Sequence, residues 1–131
     1  EFAFDSRVGG DYIPYNYTKN CVVYTGTHDN DTLQGWYKAI SEEDREYTIE
    51  YLNNRETPVE EIHWDFIRLA LSTVADTCVI SAQDYLGLGS EARINTPSSI
   101  GGNWVWRMKK GACTRQLSQK ILELSKIYGR S

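Results

Sequence analysis

The residues of this chain best equipped for chemistry lie in Thr25-Gly26-Thr27-His28-Asp29-Asn30-Asp31, which sets an imidazole beside a carboxylate and a second carboxylate two positions on. A calcium hand is one reading of Asp29 and Asp31, but it fails because Leu33 is apolar and Gln34 stands where glycine is needed. On spacing alone His28-Asp29 reads as a loop pair at a helix entrance, with Asp29 or Asp31 as the cap. A second polar stretch holds Asn95, whose bland role is turn chemistry before Pro97. His63 sits far from both and is assigned no role. Cys21, Cys78 and Cys113 are odd in number, widely spaced and without a C-x-x-C pair, so they predict small buried hydrophobes and neither a disulfide framework nor a zinc site.

The elements that must position these groups are legible as alternating patterns. Residues 21–24 form a β-branched and aromatic run suited to a buried strand, and a short helix follows with Leu33, Trp36 and Tyr37 on its apolar face and Asp31 as its expected cap. Ser41 with Asp44 three positions on announces a helix to about Asn53, carrying Tyr47 and Tyr51 on one side. Pro58 fits the first position of an apolar helix through Ile62, Phe66, Leu69 and Val74 to about Ala75. Residues 78–81 are a second buried strand, residues 86–106 a long loop, and residues 114–128 a final helix with Leu117, Ile121, Leu124 and Tyr128 on one face. Residues 5–20, rich in Gly, Tyr and Asn around Pro14, read as another long ordered loop. Alternation of this kind predicts an α/β fold with parallel strands joined by crossovers, and long loops follow both strands. In a (β/α)₈ barrel such loops, at the carboxyl ends of the strands, build the active site.

Composition narrows the function further. The chain has 131 residues, 40% of them hydrophobic and 24% charged, the make-up of one ordinary globular unit spanning residues 1–131. Its 14 basic residues are scattered against 18 acidic ones for a net charge of −4, which argues against nucleic acid as a partner. No apolar run approaches the roughly 18 residues of a membrane span and the first thirty residues lack a secretory pattern, so a cytoplasmic location is expected. The opening at Glu1 inside an apolar run, with the only methionine at Met108, predicts a piece of a longer protein, whereas Gly129-Arg130-Ser131 reads as a natural terminus.

The stretches Val23-Tyr24-Thr25-Gly26-Thr27-His28-Asp29-Asn30-Asp31-Thr32 and Asp84-Tyr85-Leu86-Gly87-Leu88-Gly89-Ser90-Glu91-Ala92-Arg93-Ile94-Asn95-Thr96-Pro97 resemble two hallmark segments of the amylomaltase, or disproportionating-enzyme, family of 4-α-glucanotransferases. Phe2-Ala3-Phe4-Asp5, Ile13-Pro14-Tyr15-Asn16-Tyr17 and Gly102-Asn103-Trp104 fall in that family's order and approximate spacing. Departures are small: Ile94 and Ser98 replace an expected Met and Gly, and Gln34 sits before Gly35-Trp36. The resemblance implies the C-terminal portion of a (β/α)₈ TIM barrel, with the last two strands and their loops and helices, helix-rich as an isolated fragment.

That family transfers α-1,4-glucan segments to glucose or another glucan through a covalent glycosyl-enzyme, without a cofactor. Two carboxyl groups about 5–5.5 Å apart carry out such retaining chemistry. The resemblance implies that Asp29 is a third acid, the transition-state stabiliser, that His28 donates a hydrogen bond to the same sugar, and that Asn95 binds a glucose hydroxyl near the cleavage point. Phe2 resembles an aromatic lining the acceptor side, with a core role equally open; Trp104 and Trp106 are sugar platforms or core, and Trp36 is core. The family's nucleophile (an Asp) and general acid/base (a Glu) match no residue here. The implied partners are α-1,4-glucans, with no metal, no nucleic acid and no membrane. Alone, the chain is expected to be inactive; the competing expectation is a non-catalytic glucan-binding or self-associating fragment.

Overall fold

A computed structural model describes residues 1–5 and 10–130. Strand β1 (Val22–Tyr24) is followed by helices α1 (Leu33–Ala39), α2 (Glu42–Leu52) and α3 (Ile62–Ser72), then strand β2 (Thr77–Val79) and helices α4 (Ala82–Tyr85) and α5 (Arg115–Ile127). The two strands are parallel, pairing Val22 with Thr77, Val23 with Cys78 and Tyr24 with Val79. A parallel pair requires a long crossover, which α1 to α3 supply. The expected α/β order is therefore present, and the described residues are richer in helix than in strand.

Local chemistry sets most boundaries. The Ser41 hydroxyl accepts from the Asp44 amide to open α2, and Asn53 closes it in the left-handed region at φ 50°. The Thr114 hydroxyl accepts from the Leu117 amide to open α5. Gly129 ends that helix at φ 63°, with its amide on the Lys126 carbonyl and the Arg130 amide on the Ser125 carbonyl. This pair of bonds is the Schellman pattern that glycine permits. Pro58 does not begin an α-helix as the pattern predicts: it precedes a 3₁₀ turn, Val59–Glu61, and α3 starts at Ile62. Nor does α3 reach Ala75, because the chain becomes extended at Thr73 and leaves Val74 exposed.

The main core joins Phe4, Leu33 and Tyr37 to Ile62, Phe66, Ile67 and Leu71 of α3 and Leu124 of α5. Trp36 packs against it as expected, edge-on to Phe66 at 5.4 Å between ring centres. A smaller cluster of Val23, Ala70 and Ala75 seats α3 on the sheet. Cys21 and Cys78 are only half-buried and Cys113 is exposed, so the expectation of buried cysteines fails for Cys113. Of the loop read over residues 5–20, the described part folds into 3₁₀ turns at Gly10–Tyr12 and Pro14–Asn16, and residues 6–9 lie outside the described residues.

Arg130, which the sequence presents as part of a polar tail, docks on the C-terminal end of α3. Its guanidinium donates to the carbonyls of Leu71, Thr73 and Ala75 at 2.8, 2.7 and 2.7 Å. A planar fork of donors matches three neighbouring carbonyls in a way a point-like ammonium cannot. Arg130→Ala is expected to cost about 1–3 kcal/mol in chemical denaturation, because helix-end carbonyls lose their donors. Arg130→Lys should recover only a minor part.

Candidate functional site at the strand ends

The loop over residues 25–32, at the carboxyl end of β1, is built by short-range bonds before any distant partner acts. Asn30 folds it: its side-chain oxygen accepts from the Thr27 amide at 2.8 Å and the Thr27 hydroxyl at 2.9 Å, and its own amide donates to the Thr27 carbonyl. This turn lifts His28 and Asp29 to the tip, where their side chains are 53% and 50% exposed and a ligand can reach them. The helix after the loop is capped by Thr32, whose hydroxyl accepts from the Gly35 amide. Asp31, the expected cap, is engaged elsewhere: its carboxylate accepts from the Thr32 amide at 2.7 Å and from the Ser90 hydroxyl at 2.6 Å.

The segment following β2 closes over this loop. The Asn95 amide nitrogen donates to the Asp29 carboxylate at 2.7 Å, and the His28 ring lies 3.4 Å from the same oxygen. Because both side chains are half in solvent, the His28–Asp29 contact contributes little to stability. The Asn95 backbone amide donates to the His28 carbonyl at 3.1 Å. Arg93 bridges the two loops, donating to the Asp29 carbonyl at 2.6 Å and to the Asn95 carbonyl at 2.8 Å. Trp104, in the left-handed region at φ 63°, donates its amide to the Ile94 carbonyl and sets its exposed ring 5.0 Å from that of His28. Thus His28, Asp29 and Asn95, separated by up to 67 positions, meet at one point.

A cleft of about 750 Å³ opens beside this point, lined by Phe2, Asp29, Asp31, Trp36 and Arg93 among others. Its volume falls in the range of about 300–1,000 Å³ common for small-ligand sites. Phe2 is 49% exposed and lies 5.5 Å from the Tyr12 ring, so it borders the cleft and is not core. Glu1 also lines it; burial, with the charges of Asp84 and Asp31 adding, pushes its carboxyl up to about 8. Among the described residues no group of His, Cys, Asp and Glu is arranged to hold a metal ion. His63, given no role from sequence, is buried near Gln34, 3.1 Å from its side-chain nitrogen, and burial followed by the Lys120 charge holds it below the usual histidine range.

Sequence reasoning missed three residues that assemble this site: Ser90, Arg93 and Asp84. The signal for Asp84 was present, since Ser81-x-x-Asp84 is a helix-start pattern; Ser81 does cap α4 by accepting from the Asp84 amide at 3.0 Å. Ser90 and Arg93 carry no signal in spacing or pattern, and their only pointer is their place inside the hallmark segment of residues 84–97.

Gly35 marks how tightly the two segments meet. A methyl group there would collide with the Ser90 hydroxyl and lie 2.6 Å from the Asp31 carboxylate. Helix propensity favours alanine over glycine by about 1 kcal/mol, whereas overpacking costs about 1–3 kcal/mol. Gly35→Ala is therefore expected to lower stability despite its better propensity, and to speed amide exchange over residues 25–32.

Two parallel strands whose following loops converge on a ligand-accessible cleft define an α/β protein with its site at the strand ends. The chain belongs to the 4-alpha-glucanotransferase family, whose sequence model matches residues 1–114. It is 47% identical to the 4-alpha-glucanotransferase of Clostridium butyricum over 131 residues, covering 99% of this chain and 26% of that protein. The corresponding protein of Thermus thermophilus is 42% identical over 137 residues, covering 99% of this chain and 27% of its own. Among solved structures, the amylomaltase from Streptococcus agalactiae in complex with acarbose superposes with a TM-score of 0.87 at 33% identity, over 98% of this chain and 26% of that one. The chain thus spans about a quarter of the length of the relatives it matches. No helix among the described residues is long and apolar enough to cross a membrane.

Proposed function

We propose that residues 1–131 form one unit of a retaining 4-α-glucanotransferase that passes α-1,4-glucan segments to glucose or another glucan, and that this unit supplies the last two strands of a (β/α)₈ barrel with their loops. The placement at the carboxyl-terminal end rests on the order of the sequence motifs. The observation that carries the function is the convergence of His28, Asp29 and Asn95 from two separate loops onto one exposed carboxylate beside a cleft.

In this reading Asp29 holds the hydroxyls of the sugar at the cleavage point and stabilises its oxocarbenium-like transition state. His28 donates to the same sugar, Asn95 binds a neighbouring glucose hydroxyl, and Phe2 lays an apolar ring face along the acceptor. Such contacts accelerate transfer to the extent that they strengthen at the transition state. The nucleophile and the general acid/base come from the remainder of the enzyme, and the activity is placed in the cytoplasm. Support for further strands comes from the sheet itself: Val22, Tyr24 and Val79 expose their side chains on a two-stranded sheet, a surface that additional barrel elements would cover. The same exposed surface favours, for the chain in isolation, a second reading as a self-associating, non-catalytic unit.

The test is incubation with maltotriose, following glucose release and longer maltodextrins. The 131-residue chain alone is expected to yield neither, and the longer enzyme that carries it is expected to yield both. Longer glucans formed by the short chain and lost in Asp29→Asn would overturn the division of labour. Size-exclusion chromatography of the short chain addresses the second reading, which predicts a mass above that of a monomer.

A further inference from the structure

The loop that carries His28 and Asp29 is tied at its tip by Asn95 and Arg93, and its base requires a separate explanation. Both ends of that base are held by one side chain. Asp84, 3% exposed on α4, accepts from the Thr25 hydroxyl at 2.6 Å through one carboxylate oxygen and from the Leu33 amide at 2.8 Å through the other. Thr25 is the first residue after β1 and Leu33 the first of α1, so the two bonds bracket the loop across sequence separations of 59 and 51. Asp84 is itself fixed, because its amide donates to the Ser81 hydroxyl at the start of α4.

We infer that Asp84 is a positioning residue, a buried two-pronged clamp that sets the height of the His28–Asp29 loop above the sheet. A carboxylate suits this place because it presents two acceptors at a fixed separation and no donor, and both partners are donors. Charge-assisted bonds to a buried carboxylate are shorter and stronger than neutral ones, and the 2.6 Å bond to Thr25 has that character. The clamp ties the loop after β1 to the helix after β2, so a shift at either strand end is transmitted to Asp29. The catalytic consequence rests on the proposed transferase reading; the control of loop position does not.

The test uses Asp84→Asn in the full-length enzyme, with two readouts. An amide in place of the carboxylate keeps the shape and weakens the clamp in either orientation: with its nitrogen toward Leu33 two donors face each other, and with its nitrogen toward Thr25 the hydroxyl must turn to accept and the charge-assisted bond is lost. The first readout is the ring resonance of His28, which the Trp104 ring 5.0 Å away displaces by its ring current; a His28→Gln variant assigns it. The second is the kcat and KM of transfer, measured well below each variant's melting temperature. Loss of the clamp is expected to move the His28 signal toward its value in an unstructured peptide. It should lower kcat by up to about 100-fold, the scale of an ångström-level misplacement, with a smaller change in KM. A lower melting temperature with an unmoved His28 signal or an unchanged kcat would make Asp84 merely structural and overturn the inference. Should Asp84→Asn fail to fold, Thr25→Val removes only the hydroxyl prong and is expected to move both readouts in the same direction by less; no movement in either overturns it equally. If His28 moves in an enzyme whose unmodified form transfers no glucan, the clamp stands and the transferase reading falls.

Discussion

On the proposed transferase reading, Asp29→Asn in the longer enzyme is expected to lower kcat for transfer from maltotriose by about 10²–10³-fold, the scale seen when one preorganised polar contact to a developing charge is removed. The substitution deletes charge while keeping shape. The carbonyl oxygen of the new amide can still accept from Asn95, so the loop junction survives. Stability should hardly change, because the side chain is 50% exposed and surface substitutions of this kind stay within about 0.5 kcal/mol. KM should change less than kcat if the contact is made chiefly in the transition state. Steady-state kinetics beside a thermal melt decides the matter: an unchanged kcat in a folded variant would remove Asp29 from the mechanism, whereas equal loss of kcat and melting temperature would indicate a structural role.

The largest stability effect belongs to the centre of α3. Ile67 is 0% exposed and lies in the core that joins α1, α3 and α5. Ile67→Ala is expected to destabilise by about 2–5 kcal/mol, combining lost apolar transfer with the cavity left behind, and Ile67→Val by only about 0.5–1.5 kcal/mol. Against a typical folding free energy of about 5–15 kcal/mol the alanine variant is a severe lesion. Val74, which the apolar pattern assigns to the same helix face, is 60% exposed beyond the helix end. Val74→Ala should stay within about 0.5 kcal/mol. Equal losses at the two positions in chemical denaturation would show that α3 and its core contacts extend to Val74.

What is local in the chain follows from the order of its residues alone. Ser41 and Thr114 cap their helices because a hydroxyl finds an amide three residues on whatever the rest of the protein does. The positions of the strands, their parallel alternation, the apolar face of α3 and the glycine stop after α5 follow from side-chain period and backbone freedom in the same way. The burial expected of both strands does not hold: only Val23 of β1 is buried, and β2, which has no buried residue, ends at Val79. The exchange of cap between Asp31 and Thr32 shows where that logic ends. Both can cap, and the choice falls to Thr32 because Ser90, 59 positions away, is among the partners of the Asp31 carboxylate. Likewise Pro58 suits a helix start, yet the chain makes a 3₁₀ turn whose carbonyls at Val59 and Glu60 receive the Gln34 side chain.

The candidate site divides along the same line. His28, Asp29, Asn95 and Phe2 were nameable from sequence only through the family resemblance, since their spacing alone equally describes loop and turn residues. The meeting of His28 and Asp29 with Asn95, the bridge from Arg93 and the clamp from Asp84 join residues 51 to 67 positions apart. No local preference encodes such distances. They are decided when β1 and β2 pair in register and α3 packs beneath them, because that step alone brings the two following loops within hydrogen-bonding reach and removes from water the carboxylate that holds them.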